Sequence, residues 1–398
     1  VTVADRAQLR LLRNAELYDP APQGRRHLLV AGERIAWIGD APPPLPAALD
    51  VVEEDLDGRR VVPGLVDCHA HLTGGGGEAG YHTRVPPIGL SRFTVGGTTT
   101  VVGLLGTDDA SRSTVELVAT ARGLTHEGLT AYCWTGGYHL PLRTATGDVR
   151  RDMLLVPEIV GVGELAVSDH RSSQPTVDEL LRVASETHVG GLMTGKAGVV
   201  HLHLGDGERG LAPVREALER SELPPAVFHP THVNRRRRLF EEALALAAHG
   251  CVIDVTAFPV DEGEDAYPAA EALARFRAAG LPPTHVTVSS DAGGTLPVFD
   301  ADGRVTAFDV GRPAALGETL RELLRCGVPL EEALPPMTSN AARLLLLPHK
   351  GRITPGGDAD LVVLDESHAV RDVMARGRWH VREGRSCVRG TFERIERW

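Results

Sequence analysis

From about residue 61 to residue 345, short apolar β-branched runs alternate with segments of helical periodicity. The runs are VVPGLVDCHAH, TTTVVGLLG, TAYCWTGG, EIVGVGELAV, VVHLHLG, AVFHPTH, CVIDVTA and HVTVSSD. Apolar runs this short read as strands buried on both faces. Between most of them lie segments such as STVELVATARGLTHEG, TVDELLRVASETH and RLFEEALALAAHG, with apolar residues recurring at helical spacing. Eight strand–helix units predict an α/β chain closed as a (β/α)8 TIM barrel. An open doubly wound sheet is the alternative, but no G-x-G-x-x-G follows the first strand.

The flanks differ from the barrel region 61–345. Residues 1–60 hold short strand-like pieces (HLLVAG, RIAWIGD, DVVEEDL) broken by Pro and Gly, and residues 346–398 have the same character. Neither is long enough for a core of its own, so the two are expected to pair as one small flanking β-sandwich.

One charge in this pattern stands out. Glu164 lies inside the apolar run Ile159–Val167, where an unpaired carboxylate would cost several kcal/mol. Something positive is therefore expected beside it. Polar residues at the C-terminal ends of the predicted strands, where barrel enzymes place their chemistry, supply the candidates. They are Asp67, His69 and His71 on strand one, Tyr138 on strand three, Glu164 on strand four, His203 on strand five, His232 on strand six and Asp291 on strand eight. His69 and His71, at i and i+2, share a face, which turns Cys68 toward the helices as a packing residue. Four imidazoles and two carboxylates at one barrel mouth suit a pair of divalent cations. His201 shares the strand face of His203 one layer deeper and reads as structural. His139, His170 and His229 read as packing or supporting residues, Asp67 as the support of a ligand histidine, and Arg236–Arg238 as a solvated helix start.

Composition narrows the partners. Net charge is −11 and the only basic run is RRRR at 235–238, so nucleic acid is not expected. Five cysteines without a C-x-x-C pair, and no leader-like apolar run, point to a reduced cytoplasmic compartment, and no stretch has the length of a membrane span.

PGLVDCHAHL, followed by PTH, SSDAGG and PGGDADLVVLD, resembles the amidohydrolase superfamily, whose fold is this barrel with a flanking β-sandwich. HLTGGGGEAG, VVGLLGTD, TGGYHLP, SDHRS, HLGD and PTHVNR resemble, within it, the bacterial isoaspartyl (β-aspartyl) dipeptidases. The resemblance implies two divalent metal ions, zinc in the first instance. His69, His71 and Asp291 would hold one and His203 and His232 the other, with a bridging hydroxide as nucleophile, Asp291 as general base and acid, and Tyr138 as oxyanion donor. Glu78 would bind the substrate ammonium, Arg171 and Arg235 its carboxylates, with Gly75 and Thr107 nearby and Thr295 where the family has serine. A homo-oligomer, octameric in the family, is implied as well. The chain departs from the family at Glu164, where a carboxylated lysine bridges the metals. The two lysines, Lys196 and Lys350, fall elsewhere, so Glu164 is expected to bridge in its place. Two other readings remain at this point: the same metal site acting on a cyclic amide or an N-acyl amino acid, and a non-catalytic scaffold.

Overall fold

The computed structural model describes residues 9–299 and 305–393. Eight parallel strands follow one another around the core: β1 Leu65–Ala70, β2 Thr98–Gly103, β3 Thr130–Thr135, β4 Ile159–Val167, β5 Val199–Leu204, β6 Phe228–Thr231, β7 Ile253–Thr256 and β8 Val286–Ser289. β1 to β6 form one hydrogen-bonded ladder in chain order, and β7 pairs with β8. The ring closes where Ala70 bridges Ala292 and the His71 amide donates to the Ala292 carbonyl at 2.7 Å. Asn234 spans the seam between β6 and β7, donating to the Thr256 carbonyl and accepting from its amide. The expected TIM barrel is thus the observed fold.

The terminal strands form a separate sheet. Leu9–Asp19 pairs antiparallel with Ala21–Ala31 and parallel with Val51–Asp55 and Arg60–Pro63. Arg60–Pro63 then pairs antiparallel with Leu361–Leu364, which brings in the C-terminal strands. Leu17, Leu28, Val61, Leu361 and Met374 meet in a core distinct from that of the barrel.

The first apolar run, read as one strand, is two. The Gly64 amide donates to Asp360, just before terminal strand Leu361–Leu364, and the next amide, Leu65, donates to Gly97, just before β2 of the barrel. A side chain at Gly64 would overlap Thr99. The sequence pattern also gave no sign of the hairpin after β8, Thr295–Phe299 paired with Val305–Val310. The apolar character of β4 holds throughout: all nine residues are buried. Its glycines let β5 approach, since a Cβ on Gly163 would come within 2.8 Å of the His201 Cβ. Helix Val177–Thr194 begins with a capping box between Thr176 and Glu179, which satisfies two otherwise unpaired amides. No helix among the described residues is long and apolar enough to cross a membrane.

His380, on the terminal strand Arg378–Arg382, is buried and neither ring nitrogen has a hydrogen-bond partner. Burial, helped by Arg378 and Arg376, pushes its imidazole down to about 4. The unfolded chain, with a histidine near 6.5, then binds the extra proton, so this group leaves stability untouched above about pH 6.5 and subtracts from it as pH falls toward 4. His380→Leu is expected to lose less stability than the native protein between pH 7 and 4.5, by on the order of 2 kcal/mol. Urea unfolding at the two pH values measures the difference, and equal losses in the two proteins would contradict the assignment.

Candidate active site

β1 delivers His69 and its C-terminal end His71; β4 delivers Glu164 and β5 delivers His203. His232 and Asp291 follow the last residues of β6 and β8, both with positive φ, 60° and 51°. All six are 5% exposed or less. Their side chains converge on one point, the carboxylate of Glu164. Its Oε1 faces His71 Nε2 at 3.6 Å; its Oε2 faces His203 Nδ1 at 3.0 Å, His232 Nε2 at 3.5 Å and His69 Nε2 at 3.7 Å. Asp291 Oδ1 completes the first half of the site, 3.1 Å from His71 Nε2 and 3.3 Å from His69 Nε2.

These distances suit metal ligands. Atoms about 2.1 Å from a common tetrahedral ion stand about 3.4 Å apart, and the observed separations bracket that value. Three overlapping groups have donor atoms close enough to share an ion: His69, His71 and Glu164; Glu164, His203 and His232; His69, His232 and Asp291. His69 Nε2 is buried without a hydrogen-bond partner. Burial works against the Glu164 charge, yet His69 and His203 outweigh it and hold the carboxyl well below its usual range. Burial likewise opposes charge on His69, but Glu164 and Asp291 raise its imidazole to about 9. A centre that attracts a proton this firmly has the potential to attract a cation instead. Glycine at 106 keeps the space open, since a Cβ there would lie 2.7 Å from His71 Cε1 and 3.5 Å from Glu164 Oε1.

The other sequence candidates lie around this centre. Tyr138 is buried with its hydroxyl 2.7 Å from His203 Nε2, and burial, together with Glu164, keeps that hydroxyl well above the usual phenol range. Arg235 Nη1 is 3.4 Å from the same nitrogen and donates to the Leu204 carbonyl. Arg171 lies over the Tyr138 ring, its Nη1 3.5 Å from Glu78 Oε1, and Thr295 donates to that same oxygen at 2.8 Å. Gly75 packs on the loop after Asp291, where a Cβ would meet the Gly293 carbonyl at 2.8 Å. Thr107 is half-buried beside Gly106. Lys196 donates to the Met153 and Val156 carbonyls, and Lys350 sits between Asp358 and Asp360; neither is at the centre.

One assignment changes, and two residues join the site. Asp67 does not hold a ligand ring: it accepts from the His69 amide and from the amide and hydroxyl of Ser290, fixing the backbone joint between β1 and β8. Asp169 went unnoticed in the sequence although it stands two residues before Arg171. It grips Arg171 through Nε and Nη2 at 3.0 and 2.8 Å and lies 3.0 Å from His203 Nε2, so it turns Nδ1 of that ring toward Glu164. Arg112 also went unnoticed. It is buried and donates to the carbonyls of Thr73, Gly75, Gly76 and Val85, which makes the tetraglycine segment a clamped loop. Asp108, four positions back, is its one near partner, but no local pattern marks the clamp, because the loop carbonyls lie 27 to 39 positions away.

A barrel with this histidine–carboxylate mouth defines a class of metal-dependent hydrolases, and the chain belongs to the amidohydrolase family, whose model matches residues 60–380. Among solved structures it is similar to the β-aspartyl dipeptidase of Fervidobacterium islandicum AW-1 in complex with β-Asp-Leu dipeptide. The two are 38% identical, with 96% of this chain and 98% of that one covered and a TM-score of 0.89. Among curated proteins, the imidazolonepropionase of Paracoccus denitrificans is 28% identical over 373 residues, 86% of this chain and 88% of its own length. The dihydropyrimidinase of Brevibacillus agri, 17% identical with a TM-score of 0.66 over 96% of this chain and 97% of its own, shares the fold.

Proposed function

We propose that the protein hydrolyses the isopeptide bond of β-aspartyl dipeptides at a centre of two divalent metal ions, zinc in the first instance, bridged by Glu164. One observation carries the substrate reading: an acid, Glu78, and two guanidinium groups, Arg171 and Arg235, are grouped beside the histidine–carboxylate centre. A β-aspartyl dipeptide offers the complement, one α-ammonium and two carboxylates. The similarity to the Fervidobacterium enzyme supports the same reading.

Two bound cations would supply a water of lowered pKa and a polarised scissile carbonyl. The protein's own groups do the rest. Asp291, well below its usual range because His69 and His71 outweigh its burial, is ionised and so able to take the proton of the attacking water and return it to the leaving amine. Tyr138, kept protonated, donates to the oxygen on which charge develops. Glu78 receives the ammonium, with Thr295 holding its carboxylate in place, while Arg171 and Arg235 receive the carboxylates through charge-assisted hydrogen bonds. Asp169 occupies two of the Arg171 donors, leaving Nη1 for this role.

The test is leucine release from β-Asp-Leu and from α-Asp-Leu by the metal-reconstituted protein. The proposal expects a preference for the β-linked peptide of at least about a hundredfold, near 2.7 kcal/mol. Preference for the α-linked peptide, or faster opening of a hydantoin, would overturn it. Loosening the clamped loop gives a further expectation. Arg112→Met is expected to raise KM for β-Asp-Leu by on the order of tenfold, the scale of one charge-assisted hydrogen bond, with metal content unchanged. Steady-state kinetics beside metal analysis measures both; an unchanged KM would mean that the clamp does not position the substrate loop.

A further inference from the structure

Beneath the centre, four buried side chains connect His69 to the floor of the barrel. Thr287 Oγ1 donates to Asp254 Oδ1 at 2.6 Å, and His229 Nε2 lies 2.9 Å from Thr287 Oγ1. His201 Nδ1 lies 2.8 Å from His229 Nδ1, and His69 Nδ1 lies 2.8 Å from His201 Nε2. Each of these residues is 0% exposed. We infer that Asp254 is a positioning residue for the metal centre, fixing the tautomer of His69 through Thr287, His229 and His201.

Proton counting sets the direction of each link. Asp254 collects the hydroxyls of Thr231, Thr287 and Ser289 at 2.7, 2.6 and 2.5 Å, and the Cys68 thiol at 3.4 Å. An ionised carboxylate only accepts, and two oxygens offer about four sites. Thr287 has a single proton and spends it on Asp254, so it must accept from His229, whose Nε2 therefore carries hydrogen. A neutral imidazole carries one, which leaves His229 Nδ1 as an acceptor. His201 must then donate from Nδ1 and accept at Nε2, and His69 must donate from Nδ1. That leaves Nε2, the buried nitrogen that has no hydrogen-bond partner and faces Glu164 and Asp291, as the His69 nitrogen on which a metal ion can replace a proton. Charging His201 or His229 would break the order. Both rings are fully buried, where an added charge is costly, and His201 is further fixed by stacking on Trp134 at 5.2 Å between ring centres.

This also gives Asp254, Thr287 and His229 a role that no contact with substrate explains. The inference rests on His69 being a metal ligand and is independent of which amide is cleaved. Its test uses the full chain labelled with 15N-histidine and loaded with zinc. Long-range nitrogen–proton spectra should show His229 as the Nε2–H tautomer and His201 as the Nδ1–H tautomer; the opposite form of either ring would overturn the relay. Zinc affinity by chelator competition supplies the second arm. Thr287→Val, which removes the hydroxyl at nearly constant volume, is expected to weaken zinc binding by about 10- to 100-fold, while Thr287→Ser stays within about threefold of the native value. Equal affinities in the two variants would contradict the relay. A native protein that takes up no zinc would instead count against the metal centre itself, and the tautomers, readable in the same sample, would still judge the relay.

Discussion

Glu164→Ala is expected to lower kcat/KM for β-Asp-Leu by at least about a thousandfold, near 4 kcal/mol of transition-state stabilisation. The reason is the convergence of four imidazoles on one carboxylate, whose two oxygens divide them: His71 on Oε1, and His69, His203 and His232 on Oε2. Truncation removes the anion whose two oxygens meet the histidines of both halves, and leaves Asp291, grouped with His69 and His232, and Asp169, beside His203, as the nearest remaining carboxylates. Bound metal should fall below two equivalents in the same variant. Glu164→Gln separates charge from shape, since it keeps the volume and one carbonyl oxygen; it is expected to lose the second equivalent too. Kinetics together with metal analysis check this, and full activity at two equivalents in either variant would refute the bridging role.

Asp291→Asn should behave differently. The carboxylate stands 3.1 and 3.3 Å from His71 and His69, but its proposed work is to hold and pass a proton, which an amide cannot do. A loss in kcat of about 10³-fold or more is expected, within the range attributed to general acid–base groups, with KM changed only a few-fold because the residue does not grip the substrate. A KM effect equal to the kcat effect, or kcat within tenfold of native, would remove Asp291 from the proton path. The contrast between the two variants matters more than either alone: Glu164→Ala removes the oxygens that four histidines meet, while Asp291→Asn keeps an amide oxygen beside His69 and His71 and loses the proton acceptor, so it is expected to change the chemistry more than the metal content.

Much of this site was readable from the chain, for a physical reason. Barrel strands are buried on both faces and end at the mouth, so a charge within Ile159–Val167, or a His-x-His at the end of β1, has few places to go. The period of two does not place Cys68: expected to face the helices, it meets Asp254 and Thr287, the same buried groups that lead to His69, because the pairing of β1 with β2 is irregular between Asp67 and Ala70. What the pattern hid depends on distances across strands. Gly64 joins two sheets because consecutive amides find partners beside different sheets, which no local periodicity reveals. Asp169 carries no local pattern; its role comes from Arg171 and His203, the latter 34 positions away. His201 and His229 were legible as packing histidines, but their order as donors and acceptors rests on contacts spanning 132, 28 and 58 positions.

The departure at Glu164 is the point on which the account stands. A glutamate is shorter than a carboxylated lysine, yet here it places its oxygens 3.0 to 3.7 Å from four histidines. The most direct measurement is leucine release from β-Asp-Leu as zinc is added stepwise to metal-free protein. A rise that levels off at two equivalents is expected, without any requirement for carbon dioxide or bicarbonate. A plateau at one equivalent, or activity that needs no metal, would contradict a centre bridged by Glu164.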